Sequence, residues 1–251
     1  MRWLIILLLL GLAGCAQPPK PLWTELPTAD ELIEKVSFDA GQYLSLDGAA
    51  HVDLTAKGKF FSSEQFLLLQ RPDRVRADVL TGFGQLVLQL VSDGDQLSVF
   101  LNTTVPGRFF SGPASYENIF RFIRVPLKTP DLLELLLYDP PLLAYQDSSV
   151  VLMSKGVKLV LENGDNKQEL LFDYQLRLIG SYYYRAGDKY LAVDYKNMSI
   201  ENPFPEVIKI AIPLEETRVT VSFSEVRMNE IIDPTRFQLE RPDNALLEHL
   251  P

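Results

Sequence analysis

The chain is poor in the residues that most often carry chemistry. It has one cysteine, Cys15, and two histidines, His51 and His249, in 251 residues. A lone thiol closes no intramolecular disulfide, so the fold has to hold through packing. His51 alternates onto the polar face of an expected strand and His249 lies in the last three residues. Neither has a nucleophile or ligand partner close in sequence, which argues against a histidine-based catalytic centre and against a metal site. No Gly-x-Ser-x-Gly elbow, phosphate loop or His-Glu-x-x-His is present, so the common hydrolase, nucleotide and zinc-protease signatures are missing. Asp93-Gly94-Asp95 and Asn163-Gly164-Asp165 lack the ligand-bearing continuation of a calcium loop and read as turns. Scattered carboxylates leave a paired-acid hydrolase as the residual enzymatic reading, but acids on a sheet surface explain them more simply. We therefore expect no enzyme and no cofactor. Positive charge is short too: 24 Lys and Arg against 33 Asp and Glu give a net charge of −9. That balance repels nucleic-acid phosphates and anionic lipid head groups. Finally, no apolar run reaches the ~20 residues that a membrane-spanning helix needs.

What is there begins at the N-terminus. Arg2, the apolar run Leu4 to Leu10 and the small residues after it have the order of a cleaved export signal. Leu12-Ala13-Gly14-Cys15 resembles the lipobox of bacterial lipoproteins. The resemblance implies removal of residues 1–14, acylation of Cys15 (palmitate among the chains) and membrane attachment through those chains, at roughly 0.8 kcal/mol per buried methylene. Residues 15–27 contain Gln17-Pro18-Pro19-Lys20-Pro21-Leu22-Trp23, a proline-rich tether that favours extended backbone and lifts a domain off the bilayer. Ala16 stands where, in the lipoproteins this resembles, an aspartate favours inner-membrane retention. The outer membrane, facing the periplasm, is thus the expected location.

The rest, residues 28–251, is expected to form one domain, since no second linker is visible. Thr28-Ala29-Asp30-Glu31 is a capping box opening a short amphipathic helix on Leu32, Ile33 and Val36. After Ser45 the period changes to two. Ala50, Val52 and Leu54 share one face against His51 and Asp53; Val75, Ala77 and Val79 do so against Arg74, Arg76 and Asp78. Phe66-Leu67-Leu68-Leu69 is apolar on both faces, as where a sheet is covered on its second side. Asp93-Gly94 joins two strands as a hairpin. Two further helices follow: Tyr116 to Ile123, then one capped by Thr129, with Pro130 in its first turn and Asp139-Pro140-Pro141 as its stop. Leu132, Leu133, Leu135, Leu136 and Leu137 exceed one stripe, so that helix is expected to be buried on more than one side or to sit at the mouth of an apolar cavity. Later strands are expected at Val157 to Leu161, Glu169 to Ile179, Tyr182 to Tyr184, Tyr190 to Tyr195, Val207 to Ile212, Thr217 to Phe223 and Glu225 to Asn229. The pattern predicts a mainly β (α+β) fold, a large curling antiparallel sheet of about ten or eleven strands covered by about three helices.

One loop stands out, Leu80-Thr81-Gly82-Phe83-Gly84, with Phe83 between two glycines. Its ring is either offered to a ligand or bilayer, or folded back onto the sheet as a plug. In order, the capping-box helix, Leu46-Asp47-Gly48-Ala49-Ala50, Arg71-Pro72-Asp73-Arg74-Val75-Arg76, Gly82, Ser92-Asp93-Gly94, Pro126 with the leucine-rich helix, and Arg236-Phe237-Gln238-Leu239-Glu240-Arg241-Pro242 are similar to the superfamily of the periplasmic lipoprotein carrier LolA and its outer-membrane receptor LolB. The resemblance implies an open half-barrel lidded by helices, whose apolar interior receives acyl chains, and a handover loop, here holding Leu80 and Phe83. It also implies lipids, lipoprotein acyl chains and a periplasmic carrier as partners. Cavity candidates are Val75, Ala77, Val79, Leu86, Leu88, Leu90, Leu133, Leu136 and Leu137, each on an apolar face of a matched element. The tyrosine-rich hairpin of residues 182–195 has no counterpart in the resemblance. It keeps open a second reading, a non-catalytic scaffold within an envelope assembly.

Overall fold

The computed structural model describes residues 23–251. The export signal, Cys15 and the start of the tether lie outside the described residues. Among those described, three α-helices and fourteen strands form the fold. Helix α1 (Ala29–Ala40) precedes β1 (Ser45–Ala56), β2 (Lys59–Gln70), β3 (Arg74–Leu80), β4 (Leu86–Ser92), β5 (Gln96–Leu101) and β6 (Arg108–Pro113). Helices α2 (Tyr116–Ile123) and α3 (Thr129–Leu136) lead to β7 (Asp147–Met153), β8 (Gly156–Asn163), β9 (Asn166–Phe172) and β10 (Leu178–Arg185). The chain closes with β11 (Asp188–Lys196), β12 (Val207–Ile212), β13 (Thr217–Met228) and β14 (Leu246–His249).

All fourteen strands lie in one open sheet, ordered β14-β6-β5-β4-β3-β2-β1-β13-β12-β11-β10-β9-β8-β7. Each neighbouring pair is antiparallel except β14 with β6, which is parallel. The expected ten or eleven strands were too few, and a purely antiparallel sheet was not the whole arrangement. The short edge strands β7 and β14 and the Gly- and Pro-bearing β6 lack the alternation that marks the others. The expected strand from Glu169 to Ile179 is interrupted: Asp173 Oδ1 accepts from the Gln175 and Arg177 amides at 2.8 and 3.0 Å. Leu176 takes a left-handed φ of 57° there. Conversely, Thr217 to Met228 is one strand, its register shifting opposite Ala49 and Ala50. The Arg236-Phe237 segment, similar to a closing strand, is instead a 3-10 turn over Pro234–Phe237.

The helices start as side-chain chemistry dictates, with one exception. Thr28 and Glu31 form the reciprocal capping box of α1, and Ser115 accepts from the Asn118 amide at the start of α2. In α3 the cap is Lys128, without a side-chain hydrogen bond, and Thr129 is already helical. Pro130 then occupies the first turn, where it needs no amide partner.

The sheet is covered along its inner face and, locally, on its outer face. Its inner face packs Leu46, Leu69, Val157, Leu159, Phe172, Val193 and Ile208 with Leu32, Val36 and Leu133 from the helices. Tyr138 and Tyr195 tie the end of α3 down: their hydroxyls donate to the Leu178 and Leu135 carbonyls at 2.9 and 3.3 Å. On the outer face Leu68 and Val91 are buried under Ile232 and Phe237 of the C-terminal segment, which accounts for Leu68 in the apolar run at 66–69, whereas Phe66 on the same face stays exposed. In the tyrosine-rich hairpin, Tyr183 faces the core while Tyr182 donates to Asp194 and Tyr184 to Glu169 on the other face.

Candidate functional site

The inner face of β1 to β5 does not meet the helices everywhere. Between them lies a hollow of about 470 Å³, walled by β1 to β5 and β13 and roofed by α2 and α3. That volume falls within the range of small-molecule binding cavities, ~300–1,000 Å³. One end is near Leu69, Val75 and Leu90, the other near Phe61, Val79 and Leu101 beside the turns. Strand alternation builds the wall, because every second side chain points inward. Its polar members are few: Ser63, Gln65 and Thr129, with Arg121 and Arg124 from α2.

Of the sequence candidates, the structure places Val75, Ala77, Val79, Leu88, Leu90, Leu133 and Leu136 around this hollow. Leu86 is elsewhere. Leu80 pairs with Leu86 while Val79 pairs with Leu88, so Val87 is an extra residue in β4. This bulge reverses the phase of the strand, and Val87 lines the hollow in place of Leu86. Leu137 is fully buried in the main core beyond the helix end and does not line the hollow. Sequence reasoning missed Leu67, Leu101, Ile123 and Leu132, all of which line it. Val52 and Leu54, also in the wall, were findable, since they share the apolar alternation of β1.

The β3–β4 loop is closed by its own backbone: the Thr81 amide donates to the Gln85 carbonyl and Gly84 donates to Thr81, both at 2.9 Å. Gly84 has a φ of 77°, which favours glycine. Phe83, at the tip, is 97% exposed, so its ring does not fold back as a plug. Leu80 belongs to β3 and not to the loop. Antiparallel connectivity puts this loop at the same end of the sheet as the β1–β2, β5–β6 and β12–β13 turns. That end also exposes Phe60, Phe61, Val105 and Leu214.

His51 proves to have partners, contributed by the neighbouring strand. Its Nδ1 lies 2.7 Å from Glu64 Oε1 and its Nε2 3.0 Å from Ser62 Oγ. The Ser62 hydroxyl also reaches Asp53 Oδ1 at 2.7 Å, and its one proton serves only one of the two contacts. The Glu64 hydrogen bond holds the imidazole above its ordinary value of 6.5. The pairing therefore adds stability below that value and loses it as pH rises through the raised one. A proton-NMR titration should give a His51 midpoint above 6.5, moved back toward it by Glu64→Gln; an unchanged midpoint would show the contact to be absent in solution.

No protein-family model matches the sequence, and no curated protein matches it. Solved structures do. A LolA superfamily protein from Nitrosomonas europaea aligns with a TM-score of 0.50 over 83% of this chain and 97% of its own, at 13% identity. A domain named for outer membrane lipoprotein sorting from Vibrio parahaemolyticus reaches 0.49 over 84% and 97%, at 10% identity. A DUF1329 family protein from Desulfovibrio piger reaches 0.48 over 84% and 95%, at 12% identity. The likeness to the first is one of fold: this chain has the LolA-like fold.

Proposed function

From the LolA-like fold and the apolar hollow we propose that the protein is an outer-membrane lipoprotein, anchored through Cys15 and facing the periplasm. It binds acyl chains of lipids or lipoproteins and helps place them in the membrane. The observation that carries this reading is the hollow itself, mostly apolar in its lining and bounded by the inner face of the one sheet and by two helices. Affinity would come from moving acyl methylenes out of water, and no bond is made or broken. The exposed apolar end with Phe83, Phe61, Val105 and Leu214 supplies a surface for meeting the bilayer, where Phe83 serves the handover. Residues 15–27 tether the domain.

The cellular test is depletion: other lipoproteins should then fail to reach the outer membrane, and their normal arrival would reject a role in lipoprotein placement. At the residue level, Phe83→Glu should impair lipid transfer between vesicles while shifting the melting temperature by no more than about a degree, because an exposed ring contributes little to stability. A large drop in melting temperature would return Phe83 to a packing role and remove the handover.

A further inference from the structure

We propose that the hollow selects amphiphiles with an anionic head, a phosphate or a carboxylate, held by Arg121 and Arg124 while the acyl chain lies inside; this rests on the acyl-binding reading above. Arg121 and Arg124 are the charged residues of the lining, and no carboxylate lies among the lining residues. In a chain of net charge −9, a wall bearing two cations and no acid runs against the overall balance. Neither arginine forms an ion pair among the described residues; Glu248, whose carboxylate feels the charge of Arg121, is bonded to Arg108 Nε.

The local geometry favours these two side chains. Arg121 lies over the rings of Phe110 and Phe122, 5.2 and 5.7 Å from their centroids. Stacking holds a guanidinium by its face and leaves its edge N–H groups to meet an oxyanion. Arg124 caps α2 in the left-handed region, with φ of 60° and ψ of 15°. Glycine is the usual residue there, and a side chain with a Cβ is disfavoured. From that position Arg124 lines the hollow. Ser63, Gln65 and Thr129 are the neutral hydrogen-bonding groups of the lining and, the two arginines apart, its remaining members are aliphatic or aromatic.

Titration calorimetry on the full chain tests this, with decyl phosphate, decanoate and uncharged monodecanoylglycerol kept below their micelle concentrations and inorganic phosphate as a fourth arm. Both charged amphiphiles should bind about tenfold or more tightly than the uncharged one, as charge-assisted hydrogen bonds to arginine require. Inorganic phosphate alone should not bind measurably. Arg121→Gln with Arg124→Gln should bring the charged amphiphiles to the affinity of the uncharged one, at an unchanged melting temperature. Equal binding of charged and uncharged amphiphiles overturns the head-group assignment and leaves the acyl hollow standing. Binding of none overturns both, and binding of inorganic phosphate as tightly as decyl phosphate replaces the amphiphile with a plain anion.

Discussion

Ala77→Phe should abolish acyl binding, with affinity falling about a hundredfold or more, equivalent to roughly 2.8 kcal/mol. Ala77 stands midway along the wall, opposite Leu67 on one side and Leu90 on the other. All three line the hollow, and Ala77 has the smallest side chain among them. A benzyl group there projects into space a ligand would use. In a solidly packed core such an enlargement costs about 1–3 kcal/mol. Over an empty space it buries apolar surface, so the melting temperature should hold or rise. Calorimetry with decanoate and thermal unfolding read the two effects separately. Retained binding would place the ligand elsewhere, and severe destabilisation would show that the space is already filled.

The second large effect is a contrast within one helix. Leu135 is 1% exposed and packed into the main core, whereas Leu132 is half-buried and lines the hollow. Leu135→Ala should cost about 2–5 kcal/mol, the transfer loss plus the cavity it leaves. For a chain of this size that lowers the melting temperature by about 5–15 °C. Leu132→Ala removes atoms that already lack partners on one side, and should cost about 1 kcal/mol. Thermal unfolding of the two variants decides the matter. Equal large losses would mean that the leucines of α3 are packed alike and that no open space adjoins Leu132.

Much of this architecture is legible in the sequence because its strands alternate strictly. Val75, Ala77 and Val79 occupy the inner face as a period of two requires, and the capping box at Thr28 starts α1 where it should. The failures come from features without a local signal. The extra Val87 flips Leu86 to the opposite face, and nothing in Leu86-Val87-Leu88 shows which residue bulges. The turn at residues 173–177 is hidden because Tyr174 and Leu176 continue the alternation of Leu170 and Phe172 through a left-handed backbone. Leucines at 132–137 reveal that α3 is greasy on several sides but not which side meets the core and which the hollow; only tertiary packing sends Leu137 to the core. The arginines at the rim are invisible to pattern reasoning, since charged residues on a short amphipathic helix usually mean a solvated face. His51 illustrates the same limit: its partners Glu64 and Ser62 are contributed by the next strand, and only the register brings them together.

The most direct test of the hollow as an acyl site is photo-crosslinking of the full chain with palmitate carrying a mid-chain diazirine, followed by peptide mapping. Labelling should concentrate on Val75 to Val79, Val87 to Leu90 and Leu132 to Leu136, and Ala77→Phe should suppress it. Labelling confined to the exposed rings of Phe60 and Phe83 or to the outer face of the sheet, or undiminished by Ala77→Phe, would contradict it.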